Sequence, residues 1–562
     1  MNRSIQPMPT GLRLALPLCA GLLFLLAAAV GASEVRTGIG PDGSTVEALD
    51  DLDVFGGGEG NAAKISLEDA IEMALERNLS LDVERYRRSQ TAEAIREAWG
   101  IYDLNFTSTL GASENSTPIS SLLQAASVDT SEFLQWNNQL TQLTPFGGTV
   151  TVDYNNTRAE FSDLNRQPNP RYIVDLDFTF DQPLLRGFGR VVTEQNLLIA
   201  RNTSAISRED FQVQVESVVQ QVIDAYWQLV EAREQLEVAQ DSLELAKELH
   251  EMNRIQVDVG TKAPLEMVQS EAGVATREED IIRFQAQVED NADLLRQLLN
   301  FGGGELWFVE LEPTTDPEVE HQEIDLRQAV RRALEKRPDI RRQQLSNKTL
   351  EIRSEVAQNQ KKPRLDFGIT WGVNGLDGDF DATIGDIRIV GEADYFDTLE
   401  QALDADFDGW NLGFTFAYPL QNRAAESRSV QADLALEEGR AQLRNLEQQV
   451  YTSVRRTARA VETAAKQIDS ARVSSKLALK NLEAEQKRYE NGLSTSFQVL
   501  EIQEDLSNAR RREVSAIIAY RRAQAAFHKE VGELLSEHQI ELVDEATSTY
   551  VESSMDGEEA SE

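Results

Sequence analysis

The chain has 562 residues, of which 41% are hydrophobic, and a formal charge of −40 at pH 7. That composition allows a large folded protein, while so large a surplus of acid argues against a nucleic-acid partner and suits a secreted or surface-exposed protein. Cys19 is the only cysteine. Neither a disulfide framework nor a thiolate metal site is therefore expected. His250, His321, His528 and His538 lack ligand spacing, and no cofactor or metal is expected.

At the N-terminus Arg3 and Arg13 precede an apolar run from Leu14 to Val30, and Val30-Gly31-Ala32 offers a peptidase site. Residues 1–32 thus read as a cleaved secretory signal, with an uncleaved anchor as the alternative. Cys19 follows Leu16-Pro17-Leu18 inside that run, which does not fit a lipoprotein anchor. Residues 33–63 read as a flexible segment. No later stretch is apolar enough to span a bilayer as a helix. An integral protein would then have to cross as a closed β-barrel, since lipid offers no partners for open strand edges.

From residue 64 the sequence predicts one long unit written twice, residues 64–310 and 311–535. Ile65-Ser66-Leu67-Glu68-Asp69-Ala70 aligns with Ile324-Asp325-Leu326-Arg327-Gln328-Ala329, and Ala74-Leu75-Glu76-Arg77-Asn78 with Ala333-Leu334-Glu335-Lys336-Arg337. Leu104-Asn105-Phe106 answers Leu365-Asp366-Phe367. The stretch from Phe178 to Leu184 answers that from Phe414 to Leu420. Each unit opens with a short amphipathic helix and a longer one, then turns to the period-two alternation of strands. A second strand ends at Pro183-Leu184 or Pro419-Leu420, where proline removes a ladder donor. The first unit has further strand-like material, Phe133–Leu143 and Thr149–Tyr154, joined by the turn Thr144-Pro145-Phe146-Gly147-Gly148. It reads as an additional hairpin. So few strands cannot close a barrel alone, and closure demands several protomers. The polar segments Ala112–Ser131 and Gly375–Asp408 are expected to contain the outer loops; the acidic stretch Asp377–Asp408 reads as solvated loop, and residues 536–562 as an acidic disordered tail.

After each Pro-Leu pair comes a helical stretch of about 95 Å, Gln195–Val257 and Glu426–Tyr489. In the first, Phe211, Val215, Val218, Val222, Ala225, Leu229, Ala232, Leu236, Ala239, Leu243 and Ala246 alternate in steps of four and three, a coiled-coil seam. Val219, Ile223, Tyr226 and Val230 widen it, so the helix faces more than one neighbour. The second seam runs from Val450 through Val454, Thr457, Val461, Ala464, Ile468, Ala471, Ser475 and Ala478 to Leu482. Both helices stop at a glycine, Gly260 or Gly492, and a return helix follows at once. The expected fold class is an α+β membrane protein. Two tandem repeats give long coiled-coil hairpins with tips near 260 and 492, plus strands of a shared barrel.

This doubled order of helix, strands, Pro-Leu, long helix, glycine tip and return helix resembles the TolC-like outer-membrane efflux protein family over about residues 60 to 535. The resemblance implies a homotrimer with a transmembrane β-barrel in the outer membrane of a Gram-negative cell and a helical α-barrel crossing the periplasm. It also implies two partners, a periplasmic adaptor protein and an inner-membrane transporter. By position, Gly260, Thr261, Gly492, Leu493 and Ser494 are the adaptor-docking tips. Glu266 and Glu501 stand in the first turns after the tips, where the family carries acidic residues at its periplasmic gate. Gln498 stands where a second acid is often found. Tyr489 resembles a tyrosine that ties the closed gate by hydrogen bonding. Lys262 is the basic residue near the other tip, while a family arginine is replaced by Ser494. No glycine-rich Lys-Ser/Thr phosphate loop occurs, so the expected function is a passive exit duct of a tripartite pump or type I secretion system, powered elsewhere. An adaptor of the membrane-fusion type is the alternative, although it would carry one hairpin where this chain has two. An enzyme is not expected, because no carboxylate pair stands beside a glycine-rich loop, histidine or cysteine in a catalytic arrangement.

Overall fold

The computed structural model describes residues 62–542 apart from 119–127, 164–165, 302–306, 308, 318–322, 385–386 and 393. The expected signal and most of the expected tail lie outside the described residues. Strand β1 (Ala62–Ile65) leads into helices α1 (Leu67–Arg77) and α2 (Leu79–Trp99). The Ser66 hydroxyl accepts the Asp69 N–H and the Asp69 carboxylate accepts the Ser66 N–H, both at 3.1 Å, so α1 begins in a reciprocal cap. Asn78 ends α1 in extended conformation and accepts the Ser80 N–H to start α2.

Four long strands follow: β2 (Asn105–Pro118), β3 (Val128–Leu143), β4 (Thr149–Phe161) and β5 (Arg171–Pro183). A single turn, α3 (Arg190–Thr193), precedes the long helix α4 (Gln195–Asp258), and α5 (Pro264–Leu298) returns along it. Strand β6 (Glu310–Pro313) pairs in parallel with β1. The second copy comprises α6 (Leu326–Lys336), α7 (Pro338–Asn359), β7 (Arg364–Gly378), β8 (Phe380–Ile384), β9 (Ile387–Gly391), α8 (Tyr395–Leu403), β10 (Asp408–Ala417), α9 (Arg423–Glu490), α10 (Ser496–Val531) and α11 (Leu534–Glu537).

The expected additional hairpin is β3–β4. Six strands form one antiparallel sheet in the order β10-β7-β5-β4-β3-β2, and β8–β9 is a separate hairpin. Two expectations need correction here. The acidic stretch Asp377–Asp408 is not plain solvated loop: it holds β8–β9 and α8. Its acids serve local structure there, Asp394 and Asp397 forming the reciprocal cap of α8. The tail also starts later than residue 536, since Ser536 and Glu537 belong to α11, whose Leu534 and Leu535 are buried.

Helices α4 and α9 have 64 and 68 residues, about 96 and 102 Å at 1.5 Å rise per residue. Each runs against several neighbours: α4 touches α2, α5, α7 and α10, and α9 touches α7 and α10. Near the sheet α2 covers α4, where Gln214 Nε2 donates to Ser80 Oγ at 3.3 Å and Arg201 lies over the Trp99 ring. Toward the tip α5 replaces α2 on the same flank, with Arg277 of α5 donating to Ser242 of α4. The seams sit where these neighbours meet. Val215, Val218, Val222, Ala225, Leu229 and Ala232 are buried on α4, and Val450, Val454, Val461, Ala464 and Ile468 on α9. Each fully buried aliphatic side chain contributes about 1.5–3 kcal/mol. Tyr226 fastens the start of the fold to the linker between the copies. Its hydroxyl donates to the Ile65 carbonyl at 3.1 Å and accepts the N–H groups of Thr314 and Thr315 at 3.1 and 3.0 Å.

Candidate functional site: the two-faced sheet and the hairpin tips

Side chains alternate across a strand, and directly opposed residues of an antiparallel pair share a face. The register therefore assigns every residue of the large sheet to one side. Phe106, Leu140, Val152, Phe178, Trp371 and Trp410 form one row across all six strands. The row Asn105, Thr141, Thr151, Thr179, Thr370 and Asn411 lies on the opposite face. On β7 the apolar face runs Leu365, Phe367, Ile369, Trp371, Val373, a span of nine residues. That is the length of a strand that crosses the hydrocarbon of a bilayer, about nine to eleven residues. Trp371, Trp410, Leu412, Phe414 and Phe416 are exposed on it. A contiguous apolar surface of this size marks a lipid or protein contact. Among the described residues no helix is long and apolar enough to cross a membrane.

Among the described residues both outer strands of this sheet are unpaired on one side. β2 and β10 are exposed along their whole length, a condition that native sheets avoid by pairing or covering the edge. At the loop end, Trp136, Tyr154 and Tyr172 of the apolar face gather round Tyr395 of α8. The Tyr395 ring lies 5.1 Å from that of Trp136 and 6.3 Å from that of Tyr172, and its hydroxyl donates to Asn156 Oδ1 at 2.9 Å. Gly375 lets α8 approach the sheet: a Cβ there would lie 2.2 Å from the Thr398 carbonyl oxygen.

At the opposite end of the long helices, the two tips are built alike. Gly260 and Gly492 have φ of 78° and 74°, the left-handed region that only glycine enters without strain. The Gly260 N–H donates to Val257 O and the Thr261 N–H to Gln256 O, both at 2.9 Å. Gly492 donates to Tyr489 O and Leu493 to Arg488 O at 3.0 and 2.9 Å. This pairing satisfies the last carbonyls of each long helix. Apolar side chains surround the turns in the open, among them Val259, Leu265 and Val268 at the first tip and Leu493 and Phe497 at the second.

Just behind the turns, polar groups cross-link the two hairpins. The buried Tyr489 of α9 donates its hydroxyl to Oδ1 of the buried Asn253 of α4. Lys262 Nζ stands 3.4 Å from the centre of the Tyr489 ring, a cation–π contact. Glu266 Oε2 accepts the Ser496 N–H at 3.1 Å, which places a carboxylate at the N-terminus of α10. Burial, then the charge of Glu266, pushes the Tyr489 hydroxyl up to about 12 against the opposing Asn253 bond. It stays a donor at physiological pH. Burial lowers the Lys262 ammonium, and the Glu266 charge opposes that shift.

The structure thus brings together Lys262, Glu266 and Tyr489. Gln498 serves α10 locally, since its side chain completes a cap with Thr495 and lies 2.8 Å from the Ser494 hydroxyl. Glu501 is exposed one turn further along and takes no part in this network. The expected match between Glu266 and Glu501 needs correction. Glu266 and Gln498 are each the third residue of their return helix and are the true counterparts. Lys262 meets the Tyr489 ring and also feels the charge of Glu266.

Four residues of this region escaped the sequence reading. Asn253 and Glu485 are buried counterparts, each seven positions before its tip glycine. Glu485 is held by Arg488 at 2.8 Å and by the Ser494 hydroxyl. His250 meets the Ser270 hydroxyl at 3.1 Å. Arg277, also buried, joins three helices by donating to Ser242 at 3.0 Å and to the Leu500 carbonyl at 3.3 Å. A signal for three of them existed. Continuing the first seam past Ala246 in steps of four and three lands on His250 and Asn253, and continuing the second past Leu482 lands on Glu485 and Tyr489. Polar residues at seam positions mark a buried polar layer.

Comparison with solved structures gives the same fold. The Campylobacter jejuni CmeC outer membrane channel superposes with a TM-score of 0.59 at 16% identity, over 87% of this chain and 89% of that one. The outer membrane protein VceC from Vibrio cholerae gives 0.57 at 17% identity, over 83% and 96%. The open state of the Neisseria gonorrhoeae MtrE outer membrane channel gives 0.57 at 16%, over 83% and 89%. No curated protein matches in sequence. The family described as outer membrane efflux protein matches residues 149–301 and 329–533, well over half of the chain, and to that family, with its TolC-like fold, this protein belongs.

Proposed function

We propose that three copies close their sheets into one β-barrel in the outer membrane of a Gram-negative cell and assemble their helical hairpins into a periplasmic tube. Residues 1–32 direct the chain to export. The assembly is the passive exit duct of a tripartite pump or type I secretion system. The observation that carries this reading is the six-stranded sheet with one apolar face, one polar face and two unpaired edges. Lipid accepts only a closed sheet, and six strands fall short of the eight or so that the smallest membrane barrels need. Closure by further copies satisfies both edges, turns the apolar face to lipid and leaves a lumen of threonine, asparagine, glutamine and aspartate.

The tips do the docking. Gly260, Thr261, Gly492, Leu493 and Ser494 present a tight turn ringed by exposed apolar side chains to a periplasmic adaptor. Lys262, Glu266 and Tyr489 form the tie behind it, and opening separates α4 from α9 at the Asn253–Tyr489 bond. Gln498 and Glu501 flank the same opening on α10. Adaptor contacts bias an equilibrium between closed and open tips, and an inner-membrane transporter supplies the work. The test is the detergent-extracted protein in a planar bilayer. A trimer that conducts supports the proposal, and a monodisperse soluble monomer without conductance overturns it.

A further inference from the structure

The internal duplication sets how many strands each copy should give. In both copies one strand follows the second short helix, β2 after α2 and β7 after α7, and one strand precedes the long helix, β5 before α4 and β10 before α9. That rule supplies four strands. Between its two strands each copy carries an insertion, but the insertions behave differently. In the second copy, among the described residues, β8–β9 pair only with each other and α8 lies on the apolar face of the sheet. In the first copy, β3–β4 are spliced into the sheet between β2 and β5.

We infer that hairpin β3–β4 is a pore-widening element: it forms part of the barrel wall and lines the outer section of the lumen, which thereby admits large hydrated polar solutes. The hairpin has the two faces of a wall. Trp136, Leu140 and Val152 stand on the apolar side in register with their neighbours, and Gln139, Asp153 and Asn155 on the polar side. Its β3 and β4 are as long as β2 and β5, so no strand falls short of the membrane. Because barrel diameter grows roughly linearly with strand number, six strands per copy in place of four make the barrel about half again as wide, whatever the number of copies. This rests on the exit-duct reading of the sheet.

The test is made on the full chain in two ways. Electron cryomicroscopy of the detergent-extracted assembly should show six strands per subunit in the wall, and four per subunit with β3–β4 outside it overturns the inference. In planar bilayers, polyethylene glycols of graded size are added on the outer side only, to wild type and to a variant in which Val128–Phe161 is replaced by a short flexible bridge. Wild type should admit polymers of roughly half again the radius that the variant admits. An unchanged cut-off overturns the inference. Should the variant fail to assemble, Gln139→Cys and Leu140→Cys decide. A charged, membrane-impermeant thiol reagent should modify the first and lower its current while leaving the second untouched, and the reverse pattern overturns the inference. Wild type that carries no current at all would count against the exit-duct reading itself and is thereby distinguished from these outcomes.

Discussion

Tyr226 and Tyr489 show at the residue scale how one hydroxyl can fasten distant parts of a chain. The Tyr226 hydroxyl makes three bonds to backbone groups of two segments, in a buried position. Tyr226→Phe keeps the ring and leaves the Thr315 N–H without its partner, at about 1–3 kcal/mol, whereas the Thr314 N–H and the Ile65 carbonyl keep their own bond at 3.0 Å. The expected result is a lower melting temperature of the detergent-extracted protein with unchanged conductance; an unshifted transition would show that water replaces the hydroxyl. Tyr489→Phe acts on the tie instead. It strands the buried Asn253 Oδ1 only while the tips are closed, so a loss of about 1–3 kcal/mol raises the open-to-closed ratio roughly 5- to 150-fold. The readout is open probability in a planar bilayer, and equal values for mutant and wild type would remove Tyr489 from the gate. Glu266→Gln should in addition weaken block by divalent cations applied at the tips.

Elements were legible from the sequence where one strong periodicity governs them. The seam of α4 has a fixed step over many turns, and its expected span, Gln195–Val257, ends one residue from the observed Gln195–Asp258. The strands showed through alternation and the tips through their glycines. Legibility stopped where tertiary contact decides. Nothing local marks α8 as a helix docked on a sheet, because acidic residues that cap a helix read like acidic residues in a loop, and the aromatic cluster around Tyr395 comes from strands more than 200 residues earlier. Asn253 and Glu485 were missed because polar residues end an apolar seam by eye, although the arithmetic continues through them. The docking of α8 can be tested at Gly375. A Cβ there would overlap backbone, whereas at Gly111 on the edge strand it would meet nothing within 4 Å. Gly375→Ala should lift α8 and speed hydrogen exchange of its amides, with Gly111→Ala as the silent control. Equal exchange in both variants would mean that the contact is dispensable.

For the whole molecule, the unpaired edges decide between a lone sheet, an open chain of sheets and a closed ring. β2 runs toward the loop end and β10 runs back from it, so the β2 edge of one copy can pair antiparallel with the β10 edge of the next, in line with the other pairs of the sheet. Thr107 and Asn411 lie on the polar face of these two strands. A tilted barrel staggers its strands by several residues, so a flexible bis-maleimide is a better probe than a direct disulfide. In a variant with Thr107→Cys and Asn411→Cys, and Cys19 replaced by serine, treatment of intact outer membranes should give covalent dimers and trimers and nothing larger. Each single-cysteine variant should stay monomeric on a denaturing gel, because every contact joins one β2 to one β10. The pattern is informative in each direction. A ladder extending beyond three would mean head-to-tail growth that does not close, and monomers alone would mean that the edges are satisfied in some other way, which would remove the basis for a shared barrel.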